Sequence, residues 1–417
     1  MSERVDVAVI GGGPAGLAAA SELMALGAGS VLVVERETDA GGIPRHCGHQ
    51  GFGARDMHRL MSGPRYAARW ARTAERAGAQ LVLGTQVTGW AGPGTLQLTG
   101  PGGRRELQAQ AVVLATGCRE RPRSARLIPG SRPMRGVMNT GTLQQLVHGA
   151  HERVGSRAVV VGAEHVSFSA LMTLRHGGAR AIAMTTELPR HQSFAAVRAG
   201  AGVLHRTRLL TSTSLSDIRG DERLRSVQVT DLASGKSETI SCDVLVLSAD
   251  WIPEHELAVL AGAELDRGTM GPSVDRLGRT STRGLFAAGN VLHGAEPADF
   301  AALSGRRVAR SVIAYLAGDI WPAAAIPVGC SAPLSWVSPN RITAGDSSGR
   351  SRCLLRASQE ITDARVAVRQ DGRLIASSRV ARVGPGRSAH VRGSWSALVD
   401  PAGGPVEVSL VSGRGRR

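Results

Sequence analysis

The sequence contains one lysine, Lys236, among its 50 basic residues, and only 3% of its 417 residues are aromatic. The formal net charge of +16 is therefore carried almost entirely by arginines, which are dispersed along the chain. A nucleic-acid interface would gather basic residues into a patch interleaved with aromatic side chains that stack on bases. The composition argues against nucleic-acid binding, and the arginine bias is typical of high-GC codon usage.

Cysteine is also scarce. The five cysteines are never spaced as CxxC: Cys47, Cys118, Cys242, Cys330 and Cys353. This spacing argues against a zinc site and against a redox-active dithiol of the usual form, so we expect no metal and no disulfide reductase. The odd number indicates reduced thiols in a cytoplasmic protein.

Long apolar runs are missing too. No stretch approaches the ~18 consecutive apolar residues that a membrane helix needs, and the first strand begins too early for a signal peptide. We expect no membrane span and a cytoplasmic location. The apolar content of 42% and the charged content of 20% are typical of globular proteins, and the length suggests two to three domains.

The pattern of the first 35 residues predicts a strand, a glycine turn, a helix and a second strand that ends in an acidic residue. Gly11 allows the sharp turn, Gly13 lets a pyrophosphate approach the backbone, and Gly16 lets the helix pack closely on the strand. Glu35 follows Gly16 by 19 residues, near the spacing of a ribose-binding acid. The stretch predicts a site for FAD or NAD at the positive end of a helix. A glycine turn that binds nothing is the plain alternative.

Residues 36–53 form a glycine-rich stretch whose pattern is too irregular for a helix or strand, and long loops often carry function. His46 or His49 could act as a general base on a substrate, and Cys47 lies between them. The alternative is that these three side chains only pack against the cofactor or hydrogen-bond to it. The pattern beyond the loop predicts a helix and three short strands, over residues 64–77, 81–83, 87–90 and 95–99.

Three ordered motifs resemble the FAD fingerprints of the two-dinucleotide-domain flavoprotein oxidoreductases: Gly11–Gly16 with Glu35, Ala115-Thr116-Gly117, and residues 282–290. The resemblance covers about residues 4–317. It implies an α/β fold with two Rossmann-like three-layer dinucleotide-binding domains. We expect a discontinuous FAD-binding domain of residues 1–125 and 271–320, and an NAD(P)-binding-like domain of residues 126–270.

The resemblance also implies a set of cofactor-binding positions: Gly11, Gly13, Pro14, Ala15, Gly16, Glu35, Arg36, Gly42, Val87, Ala115, Thr116, Gly117, Gly289 and Asn290. Glu35 would bind the adenosine ribose, the backbone at Val87 would meet adenine, and Gly42 would cover the pyrophosphate. The family usually has Asp where this chain has Asn290. An amide oxygen can still accept a ribityl hydrogen bond, but the charge-assisted contact is lost.

A finer resemblance is to the FAD-containing α-type subunits of sarcosine, amino-acid and amine dehydrogenases and oxidases, and to flavoproteins associated with anaerobic glycerol-3-phosphate dehydrogenase. It is carried by residues 116–122, 129–133 and 136–141. It implies an enzyme that passes a hydride or electrons from a small-molecule substrate or a partner subunit through FAD to a second acceptor. It also implies a hetero-oligomer with a second flavoprotein or iron–sulfur subunit. The alternatives are a structural or regulatory flavoprotein subunit and a stand-alone NAD(P)H-dependent flavin reductase.

A second strand–turn–helix begins at residue 158, and its glycine pattern is damaged. Glu164 replaces the second glycine and Ser167 the third, although Glu187 could still bind a ribose. NAD(P) binding is therefore possible but disfavoured. Glu164 could form a proton-transfer pair with His165, and helix-start polarity explains both residues equally well.

Two further stretches lie near the expected flavin. Arg119, Glu120 and Arg121 follow the Ala-Thr-Gly motif, where the arginines could bind an anionic group or be surface charge. Residues 296–316 predict a helix whose N-terminus would stabilise negative charge on the flavin, with an ordinary capped helix as the alternative.

The composition changes beyond residue 321. Alternating runs flank Asp371-Gly372, which is a strong hairpin signal, and residues 325–417 predict a small all-β domain, a sandwich by pattern. We expect this unit to serve in dimerisation or docking to a partner. A passive cap on the flavin domain is the alternative.

Overall fold

The computed structural model describes residues 3–193, 206–294, 296–343 and 352–412. It is an α/β protein with two parallel-sheet Rossmann-like halves and a C-terminal all-β unit, as the sequence predicts. The parts of the predicted C-terminal domain at residues 344–351 and 413–417 lie outside this description. The limits of the predicted domains stay predictions.

The first sheet has seven strands, and Glu3–Ile10 lies at its centre between parallel neighbours. Its strands are, in spatial order, Gln80–Val82, Val31–Val34, Glu3–Ile10, Gly103–Leu114, Thr95–Gly100 and Gln86–Gly92, with Leu285–Ala287 paired to Gly103–Leu114. The central strands are runs of Val, Ala and Leu because helices or strands cover both faces. Strand Leu285–Ala287 thus belongs to the same sheet as strand Glu3–Ile10, although the two are far apart in the sequence.

Three helices cover one face of this sheet: Pro14–Ala25, Gly63–Arg76 and Ala298–Leu316. The helices predicted over residues 64–77 and 296–316, and the three short strands, are confirmed to within about two residues. The first and last of these helices pack closely, because a Cβ on Gly305 would lie 2.0 Å from the carbonyl oxygen of Ala15.

The loop over residues 36–53 contains more regular structure than expected. It forms a 3-10 helix, Ile43–His46, and a strand, Gln50–Phe52, that pairs with Met61–Ser62. The prediction that this stretch holds no helix or strand is wrong. Pro44 occupies the first helical turn, where its missing N–H costs nothing, and the pairing is with a segment that local sequence does not reveal.

The second half contains a five-stranded parallel sheet. Its strands are, in order, Val137–Asn139, Val244–Leu247, Arg157–Val161, Arg180–Thr185 and Arg208–Leu210. Helices Thr140–Gln144 and His165–His176 pack on one face. The other face carries a three-stranded antiparallel sheet: Thr213–Gly220, Leu224–Asp231 and Ser237–Ser241.

Two short strands connect the halves where the chain crosses between them. Cys118–Glu120 pairs antiparallel with Trp251–Pro253, and the short helix Glu256–Leu260 follows. This crossover stands at one side of the large cleft between the two sheets, so residues on it are placed to line that cleft.

The C-terminal unit is two packed sheets around one apolar core, as the alternating pattern predicts. One sheet consists of Arg341–Thr343, Ala325–Cys330, Val406–Ser412, Ile361–Gln370 and Arg373–Val383, and the other of Leu334–Ser338, Arg352–Ala357 and Ala389–Arg392. A 3-10 helix, Ser394–Leu398, follows the second sheet. The Asp371-Gly372 hairpin is confirmed, with positive φ at both residues (50° and 77°), as a type I′ turn requires. Among the described helices, none has the length and apolar character to cross a bilayer.

Candidate functional site

A cavity of about 2990 Å³ opens between the two Rossmann-like halves and the C-terminal unit. Pockets for one small molecule are typically ~300–1,000 Å³, so this space is large enough for a dinucleotide and a further ligand. Its lining includes the first glycine turn, the loop over residues 36–53, the crossover strands and the start of helix Ala298–Leu316. The position at the carboxyl ends of parallel strands is where open α/β sheets bind ligands.

The three glycines of the first turn have different physical roles. Gly11 has φ +107°, and a Cβ there would lie 2.4 Å from the carbonyl oxygen of Ala115. A Cβ on Gly16 would lie 1.9 Å from the carbonyl oxygen of Gly11. At Gly13, by contrast, no described atom lies within 4 Å of such a Cβ, and the residue lines the cavity. The fold itself requires the outer two glycines, whereas the middle one leaves space for a pyrophosphate.

Glu35 is held in place for a ribose. Its carboxylate is buried and accepts hydrogen bonds from the backbone N–H groups of Gly12 (2.7 Å) and Glu37 (2.9 Å). The remaining lone pairs can accept from the hydroxyls of an adenosine ribose at the edge of the cavity. Gly42 lies directly over the turn, since a Cβ on it would be 2.9 Å from the Cα of Gly13. These residues fit the AMP half of FAD.

Twelve of the fourteen predicted cofactor positions line this cavity. They are Gly11, Gly13, Pro14, Ala15, Glu35, Arg36, Gly42, Val87, Ala115, Thr116, Gly117 and Asn290. Gly16 and Gly289 instead serve close packing within the described protein, Gly289 against the side chain of Ala15. Thr116 donates from its hydroxyl to the carbonyl oxygen of Glu254 (2.7 Å), which ties the motif to the crossover. The assignment of cofactor contacts to these positions stays a prediction.

Asn290 has a structural role that the sequence did not reveal. Its amide oxygen accepts from the N–H of Glu296 (3.0 Å), and its amide nitrogen donates to the carbonyl oxygen of the same residue (3.1 Å). A carboxylate has no proton to donate to that carbonyl oxygen. Asparagine at this position therefore closes the 290–296 loop in a way that aspartate could not.

The three catalytic candidates of the 36–53 loop occupy different surroundings. His46 Nε2 lies 3.5 Å from the Glu37 carboxylate and is not among the described residues that line the cavity. Cys47 lines the cavity, but its Sγ is 3.6 Å from the Gln144 side-chain oxygen, and burial raises the pKa of the thiol to about 12. His49 lines the cavity, and its Nδ1 is 2.9 Å from the carbonyl oxygen of Gln50. The structure brings Cys47 and His49 to the cavity.

We expect Cys47 to resist alkylation in the folded protein. A thiol pKa of about 12 leaves a thiolate fraction at pH 8 roughly a thousandfold below that of an ordinary cysteine, and burial blocks access. Iodoacetamide treatment of native protein at pH 8, followed by peptide mass spectrometry, should leave Cys47 unmodified, whereas unfolded protein serves as the fully labelled control. Labelling of Cys47 at the same rate in both samples would contradict this account.

The second glycine turn differs chemically from the first. Gly162 keeps a positive φ of +120°, but Glu164 stands where the cavity-facing glycine would be. Burial raises the pKa of the Glu164 carboxyl to about 7. His165 Nδ1 lies 2.8 Å from the hydroxyl of Ser193, and Glu164 lies against Ser167, so the two residues face different partners. The proton-transfer pair of Glu164 and His165 stays a prediction.

The charged residues of the crossover form intramolecular ion pairs. Arg119 binds the carboxylates of Glu254 (2.8 Å) and Glu256 (2.6 Å), and Arg121 lies 3.0 Å from that of Asp250. The arginine charges are thus balanced within the chain, which weakens the hypothesis that they bind an external anion. Glu120 is buried, accepts from the N–H of Gly141 (2.8 Å), and has its pKa raised by burial.

Sequence reasoning missed that the C-terminal unit lines the cavity. Arg356 donates to the carbonyl oxygen of Gly294 (3.1 Å), to the Glu296 carboxylate (2.9 Å) and to the Ser388 hydroxyl (3.0 Å). Two rings of the same unit stack on rings outside it: Trp336 on His293, and His390 on Phe300. Nothing in the local pattern signals these contacts, because each joins residues tens of positions apart.

The fold and the first glycine turn define the class of protein: an α/β protein with two dinucleotide-binding folds. Residues 5–305 match the family profile described as pyridine nucleotide-disulphide oxidoreductase. The chain belongs to this family. The family and its flavoprotein relatives imply FAD as the cofactor, with NAD(P) as a possible second one.

Individual relatives cover the chain to different extents. It is 29% identical over 276 residues to the alpha subunit of the sarcosine oxidase of Corynebacterium sp. (strain P-1), across 60% of the chain and 26% of that protein. It is 26% identical to an opine oxidase subunit of Agrobacterium tumefaciens (strain Ach5), across 76% of the chain and 67% of that protein. The chain thus spans about a quarter of the first relative's length. The thioredoxin reductase structure of Lactococcus lactis superposes with a TM-score of 0.63 at 19% identity, covering 75% of this chain and 99% of that one, which shows the shared fold.

Proposed function

We propose that the chain is an FAD-dependent oxidoreductase of the dehydrogenase or oxidase type, the α-like flavin subunit of an amino-acid, amine or 2-hydroxy-acid dehydrogenase complex. The observation that carries the proposal is the chemistry of the cavity: it is lined by an accessible histidine and buried carboxyl groups, and the sequence has no CxxC pair. When bound, FAD supplies a two-electron acceptor. The relatives named as oxidase subunits support this interpretation.

The state of Cys47 supports a dehydrogenase over a disulfide reductase. Thiol–disulfide exchange begins with attack by a thiolate and proceeds through a second, nearby thiol. Cys47 is held as a thiol, since burial raises its pKa to about 12 and its Sγ contacts the Gln144 side chain. A thiol–disulfide relay of the usual form would therefore have no thiolate nucleophile at Cys47.

His49 is the proton acceptor that we assign to the reaction. The carbonyl oxygen of Gln50 can only accept a hydrogen bond, so Nδ1 of the neutral ring carries the proton in their 2.9 Å contact. Nε2 is then unprotonated and can take a proton from a substrate amine or hydroxyl. The ring is half-buried and packs 5.2 Å from the Phe52 ring, which fixes its orientation at the cavity wall.

The start of helix Ala298–Leu316 supplies electrostatic stabilisation. Residues 296–301 line the cavity, so the positive end of the helix dipole faces this space. It would stabilise negative charge on a flavin bound there. Asp299 in the first turn is itself paired with Arg55 at 2.9 Å, so that the acid is neutralised by a neighbour.

We further propose that this chain works within a hetero-oligomer, in which a second flavoprotein or an iron–sulfur protein serves as electron donor or acceptor. Two relatives are named as subunits of oxidases, which supports the proposal. The alternative is a structural or regulatory flavoprotein subunit with little turnover of its own. It is favoured by the engagement of His46 with Glu37 and of Cys47 with Gln144.

The test is an anaerobic absorbance titration of the FAD-loaded chain with NADH, NADPH, amino acids, amines and 2-hydroxy acids. We expect an amino acid, an amine or a 2-hydroxy acid of this panel to bleach the flavin, and His49→Asn to slow that bleaching by about 100-fold or more with FAD content unchanged. Bleaching by NADH or NADPH alone would instead favour a stand-alone NAD(P)H-dependent flavin reductase. His58→Asn, at an exposed histidine of the same region, is the matched control. An apoprotein that does not take up FAD would overturn the proposal. FAD that stays oxidised with every donor would favour the structural subunit.

A further inference from the structure

The two glycine turns of the molecule have the same backbone shape and opposite chemistry. Gly11 and Gly162 both have positive φ, +107° and +120°. Two residues later, Gly13 and Glu164 each cap a 12-residue helix in an extended conformation, with ψ of −176° and −177°. Glu164 therefore occupies the position that, in the first turn, leaves room for a pyrophosphate.

The Glu164 side chain folds back over its own turn. One carboxylate oxygen lies 3.4 Å from the Ser167 hydroxyl and 3.2 Å from where a Cβ on Gly162 would be. The carboxylate thus stands at the N-terminus of helix His165–His176, where the backbone N–H groups and the helix dipole favour negative charge. A group of this protein fills the place that a phosphate would take in a working dinucleotide site.

The outer approach to the same turn is covered by another part of the chain. The N–H of Gln192 donates to the carbonyl oxygen of Ala163 (2.9 Å), which ties the segment after strand Arg180–Thr185 to the turn. Gly386 of the C-terminal unit packs on that segment, since a Cβ on it would lie 2.5 Å from the Cβ of Gln192. A nucleotide that extended from the turn toward Glu187 would meet this contact.

We propose that Glu164 is a specificity-determining residue that excludes pyrophosphate-bearing nucleotides from the second Rossmann-like half, so that the chain takes no electrons from NADH or NADPH. Exclusion has a steric and a charge component. The steric component is the larger one, because the side chain occupies the space that the first turn leaves open at the equivalent residue, Gly13. The charge component comes from the ionised fraction of the Glu164 carboxyl, which repels a phosphate. The inference goes beyond the proposed function and does not depend on the identity of the substrate.

The test is calorimetric titration of the FAD-loaded protein with NAD⁺ and NADP⁺, which bind without reducing the flavin. We expect no measurable binding by the native protein, and measurable binding by Glu164→Gly with an affinity about tenfold or more above the detection limit of the titration. Glu164→Gln removes the charge and keeps the size, so a smaller gain is expected from it. Glu152→Gln, at an exposed glutamate of the same half, should change nothing.

FAD content and melting temperature are recorded for every variant, so that a folding defect is distinguished from exclusion. If Glu164→Gly does not fold, Glu164→Ser takes its place, with the same expected direction. Tight binding of NAD⁺ or NADP⁺ by the native protein would overturn the inference. So would a folded, FAD-loaded glycine or serine variant that binds neither nucleotide better than the native protein does.

Discussion

Gly13→Ala is expected to leave the apoprotein as stable as the native chain and to weaken FAD binding by about 100-fold, roughly 3 kcal/mol. The added methyl group meets no described atom within 4 Å, so the fold has no reason to change. It projects instead into the cavity, where the pyrophosphate must approach the backbone at the end of helix Pro14–Ala25. The effect should therefore fall on the cofactor alone.

The measurement is a fluorescence titration of apoprotein with FAD, paired with thermal melting of the apoprotein. Gly92→Ala is the matched control, because a Cβ there also meets no described atom within 4 Å and the residue lies away from the cavity lining. Gly16→Ala should lose both stability and FAD, since its Cβ would lie 1.9 Å from a backbone oxygen. FAD affinity of Gly13→Ala within threefold of the native value would refute the assignment of the turn.

Arg356→Met is expected to destabilise the protein by about 3–5 kcal/mol. The Arg356 and Glu296 side chains are 14% and 9% exposed, so removal of the guanidinium leaves a buried carboxylate without its cation. The carbonyl oxygen of Gly294 loses a donor as well. Because Glu296 belongs to the loop that Asn290 closes beside the cavity, we also expect weaker retention of FAD.

Chemical denaturation of the holoprotein measures this loss. Arg382→Met is the matched control: the pair with Glu360 lies in the same unit but is 45% and 28% exposed, so its loss should cost at most about 1 kcal/mol. The double variant Arg356→Met/Glu296→Gln should recover much of the stability, since the buried charge is then gone. Equal decreases in the free energy of unfolding for Arg356→Met and Arg382→Met would show that the buried ion pair is no more important for stability than the exposed one.

Local patterns predicted the first turn and most of the helices and strands around it, but not the short helix and strand of residues 36–53. Gly11, Gly13 and Gly16 follow a run of apolar strand residues at fixed spacing. Gly11 adopts a positive φ and Gly16 has no space for a Cβ, whereas Gly13 leaves room for a pyrophosphate. Asp371-Gly372 predicted the hairpin because its turn requires positive φ at both residues. Such signals are visible in a single sequence because each of them reflects a local backbone conformation or close packing against the backbone.

The far wall of the cavity was not predictable in this way. Arg356 binds Glu296 across 60 positions, and Ser388 reaches the same carboxylate across 92. Neither residue differs in type or spacing from the many surface arginines and serines of the chain. Asn290 is a different case. The third motif placed it at the cofactor site, but its hydrogen bonds with Glu296 could not be predicted, because they depend on the conformation of the loop.

The order of strands in the first sheet has a consequence for synthesis of the protein. Strand Glu3–Ile10 and its glycine turn precede strand Leu285–Ala287 and helix Ala298–Leu316 in the chain, and the whole second half is made between them. Until then residues 112–114, at the end of strand Gly103–Leu114, have an open edge and helix Pro14–Ala25 has an uncovered apolar face, and both favour aggregation. Synthesis of the cofactor pocket thus begins with the first glycine turn but is complete only after residue 316, and a chain that ends before residue 285 cannot complete it.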